Sequence, residues 1–224
     1  MNDALRTEMR RDAQVVVMGE DGGKMSKSKR NYREPNEIFD RYGADALRWY
    51  FFANQPPWTS IRYSEQAIKD CIPEFLLRLW NVYSFFVTYA RLAGWRPDDA
   101  APPVGERPTL DRWILSRLAG LAARVEDRLA DYDPDAAAGS VSRFIDELST
   151  WYLRRTRRRF SRAGDAADRA AAFATLHAVL VGLVRVAAPL LPFLSEAIYQ
   201  SLAVRGEVAA PDSVHLTHWP TAEL

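Results

Sequence analysis

Two lysines and two serines fall within five residues, Lys24-Met25-Ser26-Lys27-Ser28, directly after the acid- and glycine-rich run Gly19-Glu20-Asp21-Gly22-Gly23. Two ammonium groups and two hydroxyls at that density suit a polyphosphate whose negative charge grows during reaction. Lysine carries a compact, mobile charge that can follow a leaving pyrophosphate. Glycines at 19, 22 and 23 allow such a loop to close over substrate and reopen. On composition alone the run fits a solvated basic surface loop as well, because short basic runs are common.

A second constellation is basic. Arg154, Arg155, Arg157, Arg158, Arg159 and Arg162 share one predicted helix and spread round much of its circumference. They could pair with Asp146, Glu147 or Asp165, which are close in sequence. They could equally form a strip that tracks phosphates, since arginine grips phosphate bidentately. Among the tryptophans, Trp80, Trp113 and Trp151 sit at apolar helical spacing and are expected in the core. Trp95, beside Gly94 near a loop, is the candidate for stacking on a base. His177 lies in an apolar helix and reads as a satisfied core residue. His215 and His218 alternate in the tail without a third ligand, so no metal site is expected.

The elements that must position these groups change in character along the chain. Gln14 to Met18 is a β-branched run suited to a buried strand, and it leads straight into the glycine loop. Pro35-Asn36-Glu37 opens a short helix through Tyr42, and a second short helix carries Leu47, Tyr50 and Phe51. Asn54-Gln55-Pro56-Pro57 reads as a linker. From Ser64 the pattern turns helical. One long amphipathic segment carries Ile68, Ile72, Phe75, Leu79, Tyr83 and Phe86, with Pro73 as a predicted kink. Four prolines between 97 and 108 stiffen a connector. Further helices follow: one through Leu110–Leu129, one opened by the cap Asp133-Pro134, one from about Asp165 to Ala188, and one started by Pro192. The tail 213–220 alternates like a strand or an extended edge.

Composition bounds the remaining choices. Thirty basic and twenty-nine acidic residues leave a formal charge of +1, so any basic surface must arise from local clustering. Cys71 is the only cysteine, which excludes an internal disulfide and a cysteine-based zinc site within the chain. The first residues mix charges and lack the apolar run of a signal peptide. Ala178–Leu194 is the most membrane-like stretch, yet Arg185, Pro189 and Pro192 fit a buried helix followed by a break. A cytoplasmic location is expected.

The five residues 24–28 resemble the KMSKS loop of class I aminoacyl-tRNA synthetases. The segment Tyr42-Gly43-Ala44-Asp45-Ala46-Leu47-Arg48 resembles the "YGADALR" stretch that follows that loop in the isoleucyl, valyl and leucyl branch. Leu79 to Phe86, Trp151 to Phe160, Ala188 to Glu196 and Ser213 to Leu216 also match in order, and Trp151 to Phe160 is similar to the isoleucyl "WYxRRxRRRF" run. The resemblance covers nearly the whole chain and favours the isoleucyl branch, with the valyl as alternative. It implies a mainly α chain: a small α/β remnant of a class I catalytic domain over 1–62, then a helical anticodon-binding bundle over 63–224. It implies ATP as substrate with Mg2+. Lys24 and Lys27 would stabilise its phosphates in forming the aminoacyl-adenylate, and Met25, Ser26 and Ser28 would complete the ATP-binding loop. The partner implied is tRNA, for the isoleucyl branch the isoleucine tRNA, with Arg154, Arg155, Arg157, Arg158, Arg159 and Arg162 as contacts. The family's "HIGH"-type motif and editing insertion do not occur in the sequence. The chain therefore reads as an internal slice, inactive alone and completed by the rest of a synthetase in cis or in trans. A free-standing, non-catalytic tRNA-binding module is the other reading. The first strand, without its sheet neighbours, is expected to make the N-terminal part poorly soluble.

Overall fold

The computed structural model describes residues 17–18, 32–54, 56, 59, 61–161, 165–204 and 210–220. The loop residues Lys24, Met25, Ser26, Lys27 and Ser28 lie outside the described residues, as does Arg162.

The chain is mainly α, as its hydrophobic periodicity predicts. The strand expected over 14–18 is described at its last two residues, β1 (Val17–Met18). It pairs in parallel with β2 (Ile61–Arg62), Val17 opposite Ile61 and Met18 opposite Arg62. Between the strands stand α1 (Pro35–Tyr42) and α2 (Ala44–Ala53). Gly43, at φ +83°, separates them, a backbone conformation that costs glycine little. Helix α3 (Glu65–Cys71) is capped by Ser64, whose hydroxyl accepts from the Ala67 amide at 3.2 Å.

Pro73 does not break the path into α4 (Leu77–Ala93). Instead, Ile72–Leu76 widens into a π turn. Proline lacks an amide hydrogen and crowds the carbonyl four residues back, and a wider turn relieves both. Glu65 then ties the small helices together by accepting from Arg33 at 3.1 Å and from Arg41 and Tyr42 at 3.0 Å each.

The bundle is built on α5 (Thr109–Ala130) and a continuous helical run from Pro134 to Phe160. That run comprises α6 (Pro134–Asp146), a π stretch (Glu147–Leu153), α7 (Arg154–Thr156) and a 3-10 turn (Arg157–Phe160). Asp133 caps it through the Ala136 amide at 3.1 Å, with Pro134 in the first position as expected. The short loop between α5 and α6 makes them adjacent antiparallel neighbours. Helix α8 (Ala166–Ala187) is nearly apolar all round and fills the centre, with thirteen of its residues buried. It is long and apolar enough to cross a membrane, but 72% of its most apolar window is covered by the other helices, which marks it as a core helix. Helix α9 (Pro192–Tyr199) closes the bundle.

Two apolar cores result. The small one holds Ile38, Ala46, Tyr50, Tyr63 and Ile68. The large one runs from Trp49 and Phe75 through every bundle helix to Val214. Trp49 stacks on Phe75, with ring centroids 3.6 Å apart, so α2 belongs to both sides of the joint.

The tail departs from the sequence expectation. In place of an extended edge, Val214–Leu216 forms a 3-10 turn capped by Ser213, and Val214 is buried in the large core. Glu196 on α9 holds it, accepting from Ser213 Oγ at 3.0 Å and from the Val214 amide at 2.8 Å. Val214 turns inward while Leu216, which alternation would place on the same side, is 69% exposed, and among the described residues no strand lies beside the tail.

Candidate nucleic-acid interface

The arginine run lies at the end of the long helical run, where its geometry changes. Through α6 the buried positions are Ala137, Ala138, Ser140, Val141, Phe144 and Ile145; beyond them they are Leu148, Tyr152, Thr156 and Phe160, four apart. The π stretch, with more residues per turn than an α-helix, shifts the inward face by one residue. Tyr152 fills the interior at this turn, and the wider winding turns Trp151 further outward, 47% exposed. This corrects the expectation of a core Trp151. Trp80 is also at the surface, 43% exposed, one residue off the stripe Leu79–Val82–Phe86. Trp113 packs against the core as expected.

Trp95 shows the opposite correction. Gly94, at φ +67°, ends α4 in a Schellman turn, with the Trp95 amide donating to the Ala90 carbonyl at 3.0 Å and the Gly94 amide to Arg91 at 3.2 Å. The turn throws Trp95 back onto the bundle, where it stacks on Phe173 at 5.8 Å and meets Phe86 edge-on at 5.6 Å. It is a packing residue, not a free stacking surface. His177 is buried beside it, its Nε2 donating to the Leu202 carbonyl at 3.1 Å, as a satisfied core histidine should.

Arg159 separates from the other arginines. Its guanidinium grips the fully buried Asp111 through two bonds of 2.7 and 2.8 Å. Its Nε also donates to the Asp168 carboxylate at 2.9 Å. Tyr152 adds a 2.8 Å hydrogen bond to Asp111. Burial alone would lower the affinity of Arg159 for its proton, but the hydrogen bonds to Asp111 and Asp168 outweigh it and raise it. Burial and the neighbouring Asp111 charge push the Tyr152 hydroxyl well above its ordinary value, so it stays a neutral donor. The expectation that Arg159 joins an outward strip is corrected here. Its donors are committed to a buried network that joins α5, the end of the long run and α8.

Arg154, Arg155, Arg157 and Arg158 are exposed. The acids that could have neutralised them are engaged elsewhere. Asp146 accepts from Arg78 at 2.9 Å, Glu147 accepts from Arg117 at 2.9 and 2.7 Å, and Asp165 caps α8 through the Ala167 amide. Among the described residues no carboxylate pairs with these four arginines. The Arg155 guanidinium lies 3.7 Å from the centre of the Trp151 ring, and Arg157 lies 5.5 Å from that of Phe85. The result is a patch of uncompensated guanidinium groups beside an outward indole. It can donate to phosphate oxygens and offer a flat face to an unpaired base.

The segment after the basic loop is tied to the bundle. Asp45 on α2 is buried and accepts from the Leu194 amide at 2.6 Å and the Phe193 amide at 3.4 Å, at the start of α9. Burial pushes its carboxyl up against the lowering effect of these amides. Arg48, one turn on, donates to the Pro189 carbonyl at 2.9 Å. The loop-proximal helices and the bundle are thus joined through polar groups at one helix start.

Residues 111–224 match the anticodon-binding domain of tRNA ligase. The chain belongs to that family. Within the anticodon-binding domain fall the Arg159 network, the exposed arginines and the central helix α8. Residues 13–64 match tRNA synthetases class I (I, L, M and V), which takes in the Lys24–Ser28 loop and Asp45, whose partners at the start of α9 fall in the anticodon-binding match. Isoleucine–tRNA ligases resemble the chain over nearly all of its length. That of Dehalococcoides mccartyi is 45% identical over 207 residues, 92% of this chain and 20% of that protein. That of Thermus thermophilus is 46% identical over 210 residues, 93% and 20%. That of Streptomyces avermitilis is 42% identical over 93% and 19%. The chain thus spans about a fifth of the length of these curated relatives. In fold it resembles a LeuRS of Agrobacterium radiobacter, solved in a ternary complex with tRNA and LeuAMS. The TM-score is 0.69 at 21% identity, over 94% of this chain and 23% of that one. It also resembles the methionyl-tRNA synthetase of Mycobacterium tuberculosis, with a TM-score of 0.67 at 19% identity over 90% and 43%.

Proposed function

We propose that this chain is the KMSKS-loop and anticodon-binding part of an isoleucine–tRNA ligase, the enzyme that joins isoleucine to its tRNA through an adenylate at the expense of ATP. The observation that carries the tRNA contact is the set Arg154, Arg155, Arg157 and Arg158, exposed while every nearby acid is engaged elsewhere. Four uncompensated guanidinium groups in one patch suit the phosphates of a tRNA stem, and Trp151 beside them suits an unpaired base. Arg162 extends the patch in sequence. The relatives named isoleucine–tRNA ligase favour the isoleucyl branch over the valyl.

In this reading Lys24 and Lys27 stabilise the phosphates of ATP as the amino-acid carboxylate attacks the α-phosphorus, and Lys27 follows the departing pyrophosphate. Met25, Ser26 and Ser28 shape the ATP-binding loop. Among the described residues no group of three or more His, Cys, Asp or Glu could hold a metal ion, so magnesium would come with the ATP phosphates rather than with a site of the bundle. The division into 1–62 and 63–224 is part of the same proposal. The small core reaches across it through Tyr63 and Ile68. The partners are tRNA and the remainder of a synthetase, in the cytoplasm.

The test is equilibrium binding of the purified chain to isoleucine tRNA, valine tRNA and an anticodon-swapped pair across a salt series. Affinity that follows the isoleucine anticodon supports the proposal. Equal, steeply salt-dependent binding to all four reduces it to phosphate contact. No binding by the folded chain overturns it. The same preparation is expected to show no isoleucine-dependent ATP–pyrophosphate exchange, and measurable exchange would show that the chain works alone.

A further inference from the structure

A second group of arginines lies away from the exposed patch, in the groove between α5 and α6. Arg117, Leu121 and Arg124 from α5 face Ser140, Arg143 and Phe144 from α6 round a notch of about 50 Å³. That is room for roughly three or more water-sized groups, the scale of one tetrahedral anion. No carboxylate lines it. Arg117 is neutralised by Glu147 through its two bonds of 2.9 and 2.7 Å. Arg124 and Arg143 have no carboxylate partner among the described residues.

Each of these two lies back over its own helix. A Cβ at Gly120 would stand 3.9 Å from Arg124 Nη2, and one at Gly139 would stand 3.8 Å from Arg143 Nη1. Glycine inside a helix costs about 1 kcal/mol relative to alanine, and here it occurs four residues before each arginine. Arg143 uses one donor on the Ser140 hydroxyl at 3.1 Å, and that hydroxyl spends its own hydrogen on the Ala136 carbonyl at 2.8 Å. The remaining guanidinium hydrogens of Arg143 and those of Arg124 are available to an acceptor in the notch. Both arginines are exposed, so an anion entering the notch would meet donors now offered to water.

We propose that this notch binds a phosphate group, held between Arg124 and Arg143 with Arg117 and Ser140 behind them, and that the phosphate is one of an RNA backbone. The identity of the source rests on the tRNA reading above; the phosphate site does not. Arg143 precedes Arg154 by eleven residues on the same helical run, with the π stretch between them.

The experiment uses the whole chain and the variant Arg124→Gln/Arg143→Gln, with equal thermal midpoints as the folding control. Isoleucine tRNA is titrated across a salt series, and tripolyphosphate is titrated separately while the Arg124 and Arg143 side-chain Nε–H signals are followed by NMR. The variant is expected to bind tRNA roughly tenfold more weakly at low salt, with a salt slope shallower by about one. In the intact chain tripolyphosphate should shift both signals to saturation. A chain that binds no tRNA but still gives the saturable shift marks a small-anion site, and the tRNA reading alone falls. A saturable shift with unchanged tRNA binding by the variant overturns the RNA source. Unchanged tRNA affinity and slope together with unresponsive arginine signals overturn the site altogether.

Discussion

Arg158 and Arg159 are neighbours of one residue type, yet they belong to different regions of the molecule. Arg159 points inward to a carboxylate with no exposure and shares it with Tyr152, so its donors are matched by acceptors inside the fold. Arg158, with Arg154, Arg155 and Arg157, faces solvent with no acid to meet it among the described residues. A run of arginines is therefore not one feature. What each does depends on whether the opposite helix presents a carboxylate, and among the described arginines of the run only Arg159 meets one from both α5 and α8.

The largest expected effect lies on the buried side. Arg159→Ala leaves Asp111 without its counter-charge in a sealed interior, which costs about 3–5 kcal/mol. Urea denaturation measures it, and a change within about 0.5 kcal/mol would return Arg159 to the surface set. Arg154→Ala/Arg158→Ala should do the reverse. The unfolding midpoint should stay nearly constant, while the salt slope of tRNA binding falls by about two and low-salt affinity drops at least tenfold, on the order of 1.4 kcal/mol. Equal loss of stability in the two variants would erase the distinction.

Trp151→Ala sharpens the outward side further. If a base stacks on the indole beside Arg155, removing it should weaken tRNA binding by about 1–3 kcal/mol with little change in salt slope, since no charge is lost. An unaltered affinity would leave only phosphate contacts on this face.

The smallest effect expected is at the tail, where Glu196 is again a matched group. Burial alone would raise its carboxyl, but hydrogen bonds from Gln200, Val214 and Ser213 outweigh that and hold it below its ordinary value. A carboxyl held low in the folded state contributes stability that is present above its ordinary value and is lost as pH falls through the folded one. Exchange of the Val214 amide, corrected for its intrinsic rate, should therefore quicken as the solution is acidified through that range. Glu196→Gln should remove the dependence, and a Val214 amide indifferent to pH in the native protein would show that the tail is held by apolar packing alone.

Helix starts and stops were largely legible in the residues. Ser64, Asp133, Asp165 and Pro192 mark helix beginnings in the structure because capping is local chemistry, settled within one turn. The central helix was legible from its near-continuous apolar run, and His177 from its apolar setting. Of the tryptophans singled out, Trp113 was legible, while Trp80, Trp95 and Trp151 were not. Trp151 was turned further outward by a π stretch that shifts the helical phase by one residue, and Trp95 was turned inward by the left-handed Gly94. Neither device leaves a periodic trace in the chain. The Asp45 joint was invisible for another reason: its partners, the Phe193 and Leu194 amides, lie 148 and 149 residues away.

The sequence by itself determined the family resemblance, the helical class and the chemistry on offer: lysines and hydroxyls at 24–28 and a dense arginine run at 154–162. These depend on residue type and near spacing, which a linear chain states openly. Tertiary structure alone decided which arginines are free to meet a partner. Asp111 claims Arg159 from another helix, Arg117 and Arg78 occupy Glu147 and Asp146, and Arg124 and Arg143 line one notch between two helices. Charge pairing is settled by distance in space, and sequence separation carries almost no information about it.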